Sequence, residues 1–535
     1  MNPVDIVIVG SGASGAAAAW KLSRNTALRI VCLEAGGEQD PAHFPSTAPN
    51  WELSRHGQAS SDPNERNNPA DYPIDNADSP ISLANFNGFG GSTILYSAHF
   101  PRFHPSDFHT QSLDGVGEDW PFGYGDLEPY FQENERMMGV AGLVGDPAYP
   151  DYENLAPPLP LGPMGRRMGD AFNHLGWHWW PSYAAINTKK LGERPSCINL
   201  GPCNTGCAQG AKGSVDVTYW PEAKSQGVEV RQNCAVQEIL LGKNARAEGV
   251  RYIDQDGNEQ VQPASIVVLA CSGAGTPRLL LNSKSSAFPD GLLNDHGVVG
   301  RNLMLHPLAY TEAVFDDDLS SSIGPQGCSL FSHQFYETDV KRNFTRGYTM
   351  HVLRGSAPVE TAVNGYMMRQ IPLGPDHHKT FAKTFNHTVG IAIIAEDLPD
   401  PNNFIELDTN TADANGMAGI KVHYTLSENS QKMLKHGIER SKHLFESAGA
   451  RVTSSFAPVK HTGWHIMGTA RMGRDPKTSV VNEHGRAHAV NNLFIVDSSI
   501  FVTAGAVNPV ATAQALTLKI CDHLCDNLQE IEGAT

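Results

Sequence analysis

The tightest constraint on this chain is the hexapeptide Gly10-Ser11-Gly12-Ala13-Ser14-Gly15, because of what stands on either side of it. The short apolar run Val4 to Val9 precedes it, and the small, helix-compatible stretch Ala16-Ala17-Ala18-Ala19-Trp20-Lys21-Leu22 follows. The order reads as strand, tight turn, helix. Arg29-Ile30-Val31-Cys32-Leu33-Glu34 then reads as a second strand, ending in an acid 24 positions after Gly10. A GxGxxG in isolation says little; in this setting it is the turn of a βαβ dinucleotide-binding unit. Gly10 permits the sharp turn, Gly12 lets the backbone approach a pyrophosphate, and Gly15 lets the helix pack on the strand. The helix start offers free N–H groups and a partial positive charge. Ser14, inside the turn, joins the three glycines as a candidate cofactor contact. Glu34 is placed to accept hydrogen bonds from ribose hydroxyls, which favours FAD or NAD over NADP.

The rest of the composition narrows the partners. Lys+Arg is 40 against Asp+Glu 57, a formal charge of −17 with a sequence pI near 5.7, so no phosphate-tracking basic surface and no nucleic-acid partner is expected. No run approaches the roughly 20 apolar residues that span a bilayer, so no membrane partner is expected either. The first residues lack a basic leader region and run straight into strand, which predicts a cytoplasmic protein. Nine Cys in 535 residues are too few for a disulfide scaffold.

Residues 38 to 80, with Gln39-Asp40-Pro41 and Ser61-Asp62-Pro63, are polar and turn-rich and read as a long surface excursion. A second glycine-dense loop follows at Asn87-Gly88-Phe89-Gly90-Gly91-Ser92-Thr93. Leu127 to Met138 is helix-like, Pro147 to Pro163 is a Pro-rich connection, and strand-like segments recur at Val228 to Arg231, Ala235 to Leu241 and Ser265 to Ala270. Residues 306 to 455 carry strand and turn signals with few glycine motifs; 460 to 535 return to Gly, Asn and a helical tail.

Four ordered blocks carry a family resemblance: the Gly10–Gly15 turn with Glu34; Gly90-Gly91-Ser92-Thr93 followed by Pro101-Arg102-Phe103; Cys271-Ser272-Gly273-Ala274-Gly275-Thr276-Pro277-Arg278 followed by Gly300-Arg301-Asn302-Leu303; and His465-Ile466-Met467-Gly468-Thr469-Ala470-Arg471-Met472-Gly473 with Asn491 to Asp497 and Asn508-Pro509-Val510-Ala511-Thr512. The chain resembles the glucose-methanol-choline (GMC) family of FAD-dependent alcohol oxidoreductases over nearly its whole length. The fourth block looks most like pyranose oxidases and related sugar and glycoside oxidoreductases, with Asn508 where glucose-oxidase-like members carry a second His.

The resemblance implies an α/β fold in which a Rossmann-like FAD-binding domain is interleaved with a substrate-binding domain built on a mostly antiparallel sheet with helices. Residues 1–135, 195–305 and 460–535 are expected in the first domain and 306–459 in the second, with 136–194 as a connection or insertion. Gly90, Gly91, Ser92, Ser97, Val236, Asp497 and Asn508 are implied cofactor contacts, beside Gly10, Gly12, Ser14, Gly15 and Glu34. Ser97 falls where a hydroxyl residue stands near flavin N5, and Val236 at an adenine-facing backbone position; a plain strand Ser and an ordinary buried valine are the alternatives. Family members that attach flavin covalently use a His where this chain has Leu95, so the FAD is expected to be non-covalent.

Alcohol oxidation by a flavin removes the hydroxyl proton and sends the carbinol hydride to flavin N5, so a base must stand within about 3 Å of the hydroxyl. His465 is the expected base, since an imidazole with an ordinary pKa near 6.5 can take a proton at working pH and return it. Asn508 cannot take the proton, but its amide can orient the substrate oxygen. An ordinary packing role for His465, and an N-cap on the helix beginning near Val510 for Asn508, are the alternatives.

The expected reaction is oxidation of a secondary alcohol of a pyranose or glycoside, with electrons passing to oxygen or a quinone-type acceptor. The alternatives are a dehydrogenase of a non-sugar alcohol or polyol and a non-catalytic flavoprotein. Cys197, Cys203 and Cys207 fall within eleven positions, a spacing that could hold an iron–sulfur cluster wiring such a dehydrogenase. A reduced, packed loop or a single disulfide is the plainer reading, and no metal is expected. Cys521 and Cys525, four apart in the helical tail, are expected to pack on one face.

Overall fold

The computed structural model describes residues 2–533 except 26–27, 49, 58, 67, 151, 154, 243–245 and 326–327. The strand Val4–Val9 lies between Ile30–Leu33 and the second half of the long strand Glu259–Leu269, parallel to both. Ile6, Val7 and Ile8 are wholly buried, as an apolar run covered on both sheet faces should be. Glu229–Arg231 adds a further parallel strand outside Ile30–Leu33, and Leu493–Ile495 pairs with Val267–Leu269. The first half of Glu259–Leu269 instead pairs antiparallel with Ala247–Ile253, which pairs with Ala235–Leu241. One seven-stranded sheet thus collects strands from the start, middle and end of the chain.

The crossover helix Ala13–Asn25 packs against the tail helix Val510–Asp526. Ala16 to Ala19 are fully buried, and their small side chains let the helix axis approach its neighbours closely. In the tail, Cys521 is buried and Cys525 half-buried, both free thiols.

The second sheet is antiparallel throughout, in the order Arg451–Phe456, Leu308–Val314, Thr388–Ala395, Tyr348–Leu353, Cys328–Phe335, Trp180–Pro181. Its central strand Thr388–Ala395 is buried along its length. The amphipathic helix Glu428–Ser447 covers one face, placing Met433, Leu434, Leu444 and Phe445 against Val389, Ile391 and Ile393. Ser427 caps that helix by accepting from the Ser430 amide.

Two segments do more than their polar texture announces. Residues 136–194, read as a connection, contribute the strand Trp180–Pro181 and the helix Gly162–Leu175, which packs on Glu428–Ser447. Residues 38 to 80 are not a plain surface excursion. Their strand Ile74–Asp78 joins Ala418–His423 in a three-stranded sheet, and Arg66 is buried in a two-pronged contact with Asp71 at 3.0 and 2.7 Å.

Arg102 and Glu135 tie the loop after the second glycine block to the helix Tyr124–Met138, with Nε–Oε1 and Nη2–Oε2 both at 2.7 Å. The guanidinium is wholly buried and also donates to the Tyr124 hydroxyl at 2.8 Å. Removing one partner strands a buried charge, so Arg102→Met is expected to cost about 3–5 kcal/mol, seen as a clear drop in the urea midpoint. An unchanged midpoint would show that Glu135 finds compensation elsewhere.

Candidate active site

The parallel strands stop in register: Val9 lies beside Leu33 and Leu269, and Leu269 beside Ile495. Gly10, Glu34, Cys271 and Asp497, which follow these strand ends, therefore emerge along one edge. Gly10, Glu34 and Asp497 line a single cavity of about 840 Å³, near the upper end of the about 300–1,000 Å³ usual for ligand pockets. The glycines are dictated by clearance. A Cβ on Gly15 would stand 1.9 Å from the Gly10 carbonyl oxygen, and one on Gly91 2.6 Å from the Gly12 Cα. Gly91 also has a φ of +55°, a conformation side chains rarely adopt. The two glycine turns thus meet backbone to backbone, leaving a floor without side chains.

Glu34 is held from both oxygens: Oε2 accepts from the Ser11 amide at 2.8 Å and the Ser11 hydroxyl at 2.7 Å, and Oε1 from the Gly36 amide at 2.9 Å. Burial pushes its pKa up while these bonds pull it down. Asp497 Oδ2 accepts from the Thr276 hydroxyl at 2.6 Å and the Ser272 amide at 3.1 Å, anchoring the third sequence block beside the cavity.

Of the sequence-predicted residues, Gly10, Gly12, Ser14, Glu34, Gly91, Ser92, Ser97, Val236, His465, Asp497 and Asn508 all line this cavity, as does Leu95. Gly15 and Gly90 stand behind its wall. Gly15 abuts Gly10, and the Gly90 amide donates to the Ser11 hydroxyl at 3.2 Å.

On the same cavity, Asn508 Nδ2 lies 3.3 Å from His465 Nε2. Burial first, then the rings of His306, His351 and His99, hold the His465 imidazole well below its ordinary range, so it is neutral. Asn508 does not cap the tail helix; that position is Pro509. Its Oδ1 is buried and accepts no hydrogen bond from the protein, so it is available to a donor in the cavity.

Several lining residues were missed from sequence. Tyr310, Glu312, His351 and Asn364 come from strands and a helix that match no motif, their only signal being polarity inside otherwise apolar segments, and His99 stands between the two halves of the second sequence block. His306, which touches His465, stands just beyond the block Gly300-Arg301-Asn302-Leu303, so that block pointed to it without naming it.

Cys197, Cys203 and Cys207 are half-buried. Burial pushes the Cys197 thiol up to about 11, which keeps the unligated thiol protonated near neutral pH. Among the described residues, no group of three or more His, Cys, Asp or Glu side chains stands together as a metal site. The Lys212 ammonium ties this loop to the second glycine block, donating to the carbonyls of Cys203 and Ile94 at 2.7 Å and of Tyr96 at 3.0 Å.

The meeting of Gly12 and Gly91 yields a direct test. Gly91→Ala places a methyl against backbone that cannot swing aside, and the purified variant is expected to carry several-fold less flavin, read as the ratio of visible to ultraviolet absorbance. Full flavin content would show that the turns can part.

Models of the GMC oxidoreductase family match residues 180–308, for its N-terminal part, and residues 399–517, for its C-terminal part. The chain is 36% identical to the 2-methyl-1,2-propanediol dehydrogenase of Mycolicibacterium austroafricanum, over 99% of this chain and 96% of that protein. It is 28% identical to the fructose dehydrogenase large subunit of Gluconobacter japonicus, over 98% of each. Among solved structures, pyridoxine 4-oxidase from Mesorbium loti superposes with a TM-score of 0.65 at 20% identity, covering 98% of this chain and 99% of that one. Among the described residues, no helix is long and apolar enough to cross a membrane. With the two glycine turns, Glu34 and the His465–Asn508 pair in one cavity and a full-length relative at this identity, the chain belongs to the GMC oxidoreductase family of FAD-dependent enzymes.

Proposed function

We propose that the chain oxidises a carbinol of a polyhydroxylated small molecule, with His465 as the base and Asn508 as the group that orients the substrate oxygen. The observation that carries this reading is the pairing of a buried neutral imidazole with an amide whose Oδ1 lacks a partner, on the wall of the cavity that holds the glycine turns. The residues fit FAD. Gly12 and Gly91 leave a floor that side chains would fill, the helix Ala13–Asn25 begins at that floor, and Glu34 on the cavity wall would accept from a ribose hydroxyl. When bound, FAD supplies the hydride acceptor. Its attachment is non-covalent in this reading, because the side chain at the position used for covalent attachment is Leu95.

The chain's own residues handle the proton. His465 Nε2 takes it from the substrate hydroxyl, while the Asn508 amide holds the oxygen as negative charge develops on it. The first substrate class is a pyranose or glycoside oxidised at a secondary alcohol, which the polar side chains of Tyr310, Glu312 and Asn364 lining the cavity would suit. A non-sugar diol is a second reading, favoured by the relative named for 2-methyl-1,2-propanediol. Oxygen or a quinone-type acceptor would then take the electrons.

Anaerobic bleaching of the flavin by a panel of sugars, glycosides and small diols, followed by reoxidation with oxygen or a quinone, separates these readings; a panel that bleaches nothing would remove both substrate classes. His465→Ala is expected to keep its FAD while anaerobic reduction slows by roughly 10²-fold or more. Reduction at the normal rate would take the base role from His465. Acid precipitation should release the FAD into solution, and colour left in the pellet would contradict non-covalent binding. Because burial and the imidazoles around His465 lower its pKa, the reduction rate should hold as pH falls through about 6.5, where an ordinary histidine is half protonated. An acid limb centred there would overturn that expectation.

A further inference from the structure

His465 is backed by a second buried histidine. His306 Nδ1 lies 2.9 Å from His465 Nδ1, and His306 Nε2 faces two backbone carbonyls, Gly505 at 2.7 Å and Ala504 at 3.1 Å. Carbonyl oxygens only accept, so His306 Nε2 must carry a hydrogen. Burial pushes the His306 pKa down to about 4, so its ring is neutral and its one hydrogen is the one on Nε2. Nδ1 of His306 is then an acceptor, and the contact with His465 requires the hydrogen on His465 Nδ1. With that hydrogen on Nδ1, His465 Nε2 is an acceptor and can take a hydrogen from Asn508 Nδ2, 3.3 Å away.

We infer that His306 is a positioning residue that locks His465 in the tautomer with its hydrogen on Nδ1 and its lone pair on Nε2, facing the cavity. The chain of donors runs one way, from the Asn508 amide through both imidazoles to the carbonyls of residues 504 and 505. This inference rests on His465 being the base. When the substrate O–H bond breaks, the new bond forms at Nε2 while Nδ1 keeps its hydrogen, and the His306 lone pair stabilises the resulting imidazolium without taking its proton. A free neutral imidazole mixes both tautomers; here the two carbonyls decide. The ionisable side chains acting on His465 are His306, His351 and His99, all imidazoles, so the polarity comes from fixed dipoles and not from a carboxylate.

The test reads the tautomer in the resting holoenzyme, labelled with 15N-histidine, by long-range 1H–15N correlation near neutral pH. The His465 signals are those missing from His465→Ala. Expected is a protonated Nδ1 and an unprotonated Nε2; the opposite pattern, or an average of the two, overturns the inference whatever the variants do. In the second arm, His306→Asn keeps an acceptor near the Nδ1 position and His306→Leu removes it. The Leu variant should retain FAD, lose the single tautomer and reduce its flavin about tenfold more slowly or worse, while the Asn variant stays within about threefold of the parent. Equal losses in the two variants, with the tautomer unchanged, would mark His306 as merely structural. Failure of the base assignment itself looks different: His465→Ala would reduce its flavin normally although the parent shows the stated tautomer.

Discussion

Strands that run parallel and stop side by side, at Val9, Leu33, Leu269 and Ile495, govern where the chemistry of this molecule sits. A parallel ladder sends the carboxyl ends of its strands to the same edge, and whatever follows them shares a crevice. Gly10, Glu34 and Asp497, from opposite ends of the chain, are neighbours for that reason alone. The interleaved order of the segments follows as well. The strand Leu493–Ile495 must return to Glu259–Leu269 after the antiparallel sheet has been built, so the chain leaves the first sheet and comes back. His465 and Asn508 lie on that returning stretch, which brings them to the edge where the glycine turns already stand.

The loop that holds His306 depends on a buried ionic cluster. Arg346, wholly buried, meets Asp107 and Glu396, and Asp107 Oδ2 also accepts from the Tyr336 hydroxyl at 2.7 Å. The same hydroxyl accepts from the Ala506 amide at 3.0 Å, and a Cβ on Gly505 would stand 3.0 Å from Asp107 Oδ2. The loop 504–506, whose carbonyls face His306, is therefore seated on a charge cluster reaching from Asp107 to Glu396. Such a cluster contributes little net stability, because desolvation offsets much of the attraction. It fixes position instead: Arg346, Asp107 and Tyr336 meet these partners in one arrangement only.

The parts of this site that were legible in the sequence share one property: their function constrains neighbours along the chain. Gly10, Gly12 and Gly15 need each other at fixed spacing, and Glu34 needs the strand that ends at it. His465 and Asn508 were legible through the blocks around them and the resemblance those blocks carry. His306 was not, because its role depends on the carbonyls of residues 504 and 505, which any residues could supply. The segment 38 to 80 misled for a related reason. Its polar and turn-rich composition reads as solvated, but Arg66 and Asp71 satisfy one another inside the protein, and the strand Ile74–Asp78 finds its partner at Ala418–His423. Long-range pairing leaves no local periodicity to read.

A histidine base can be oriented by a carboxylate or, as here, by a neutral ring held by backbone. The difference is one of charge. A carboxylate behind His465 would hold it in the same tautomer but raise its pKa by about 1–3 units, at about 1.4 kcal/mol per unit, favouring the protonated form in the resting state. His306 supplies direction without that charge, since its own polarity is borrowed from two carbonyls. The base then stays unprotonated at a buried position, ready for the substrate's proton, and the resulting imidazolium is not stabilised so strongly that it keeps it. That suits a cycle in which the same proton must leave before the next substrate arrives. The cost of burying His465 beside His306, His351 and His99 lowers its affinity for protons, and the Asn508 amide recovers part of what a weaker base loses by stabilising the charge that develops on the substrate oxygen.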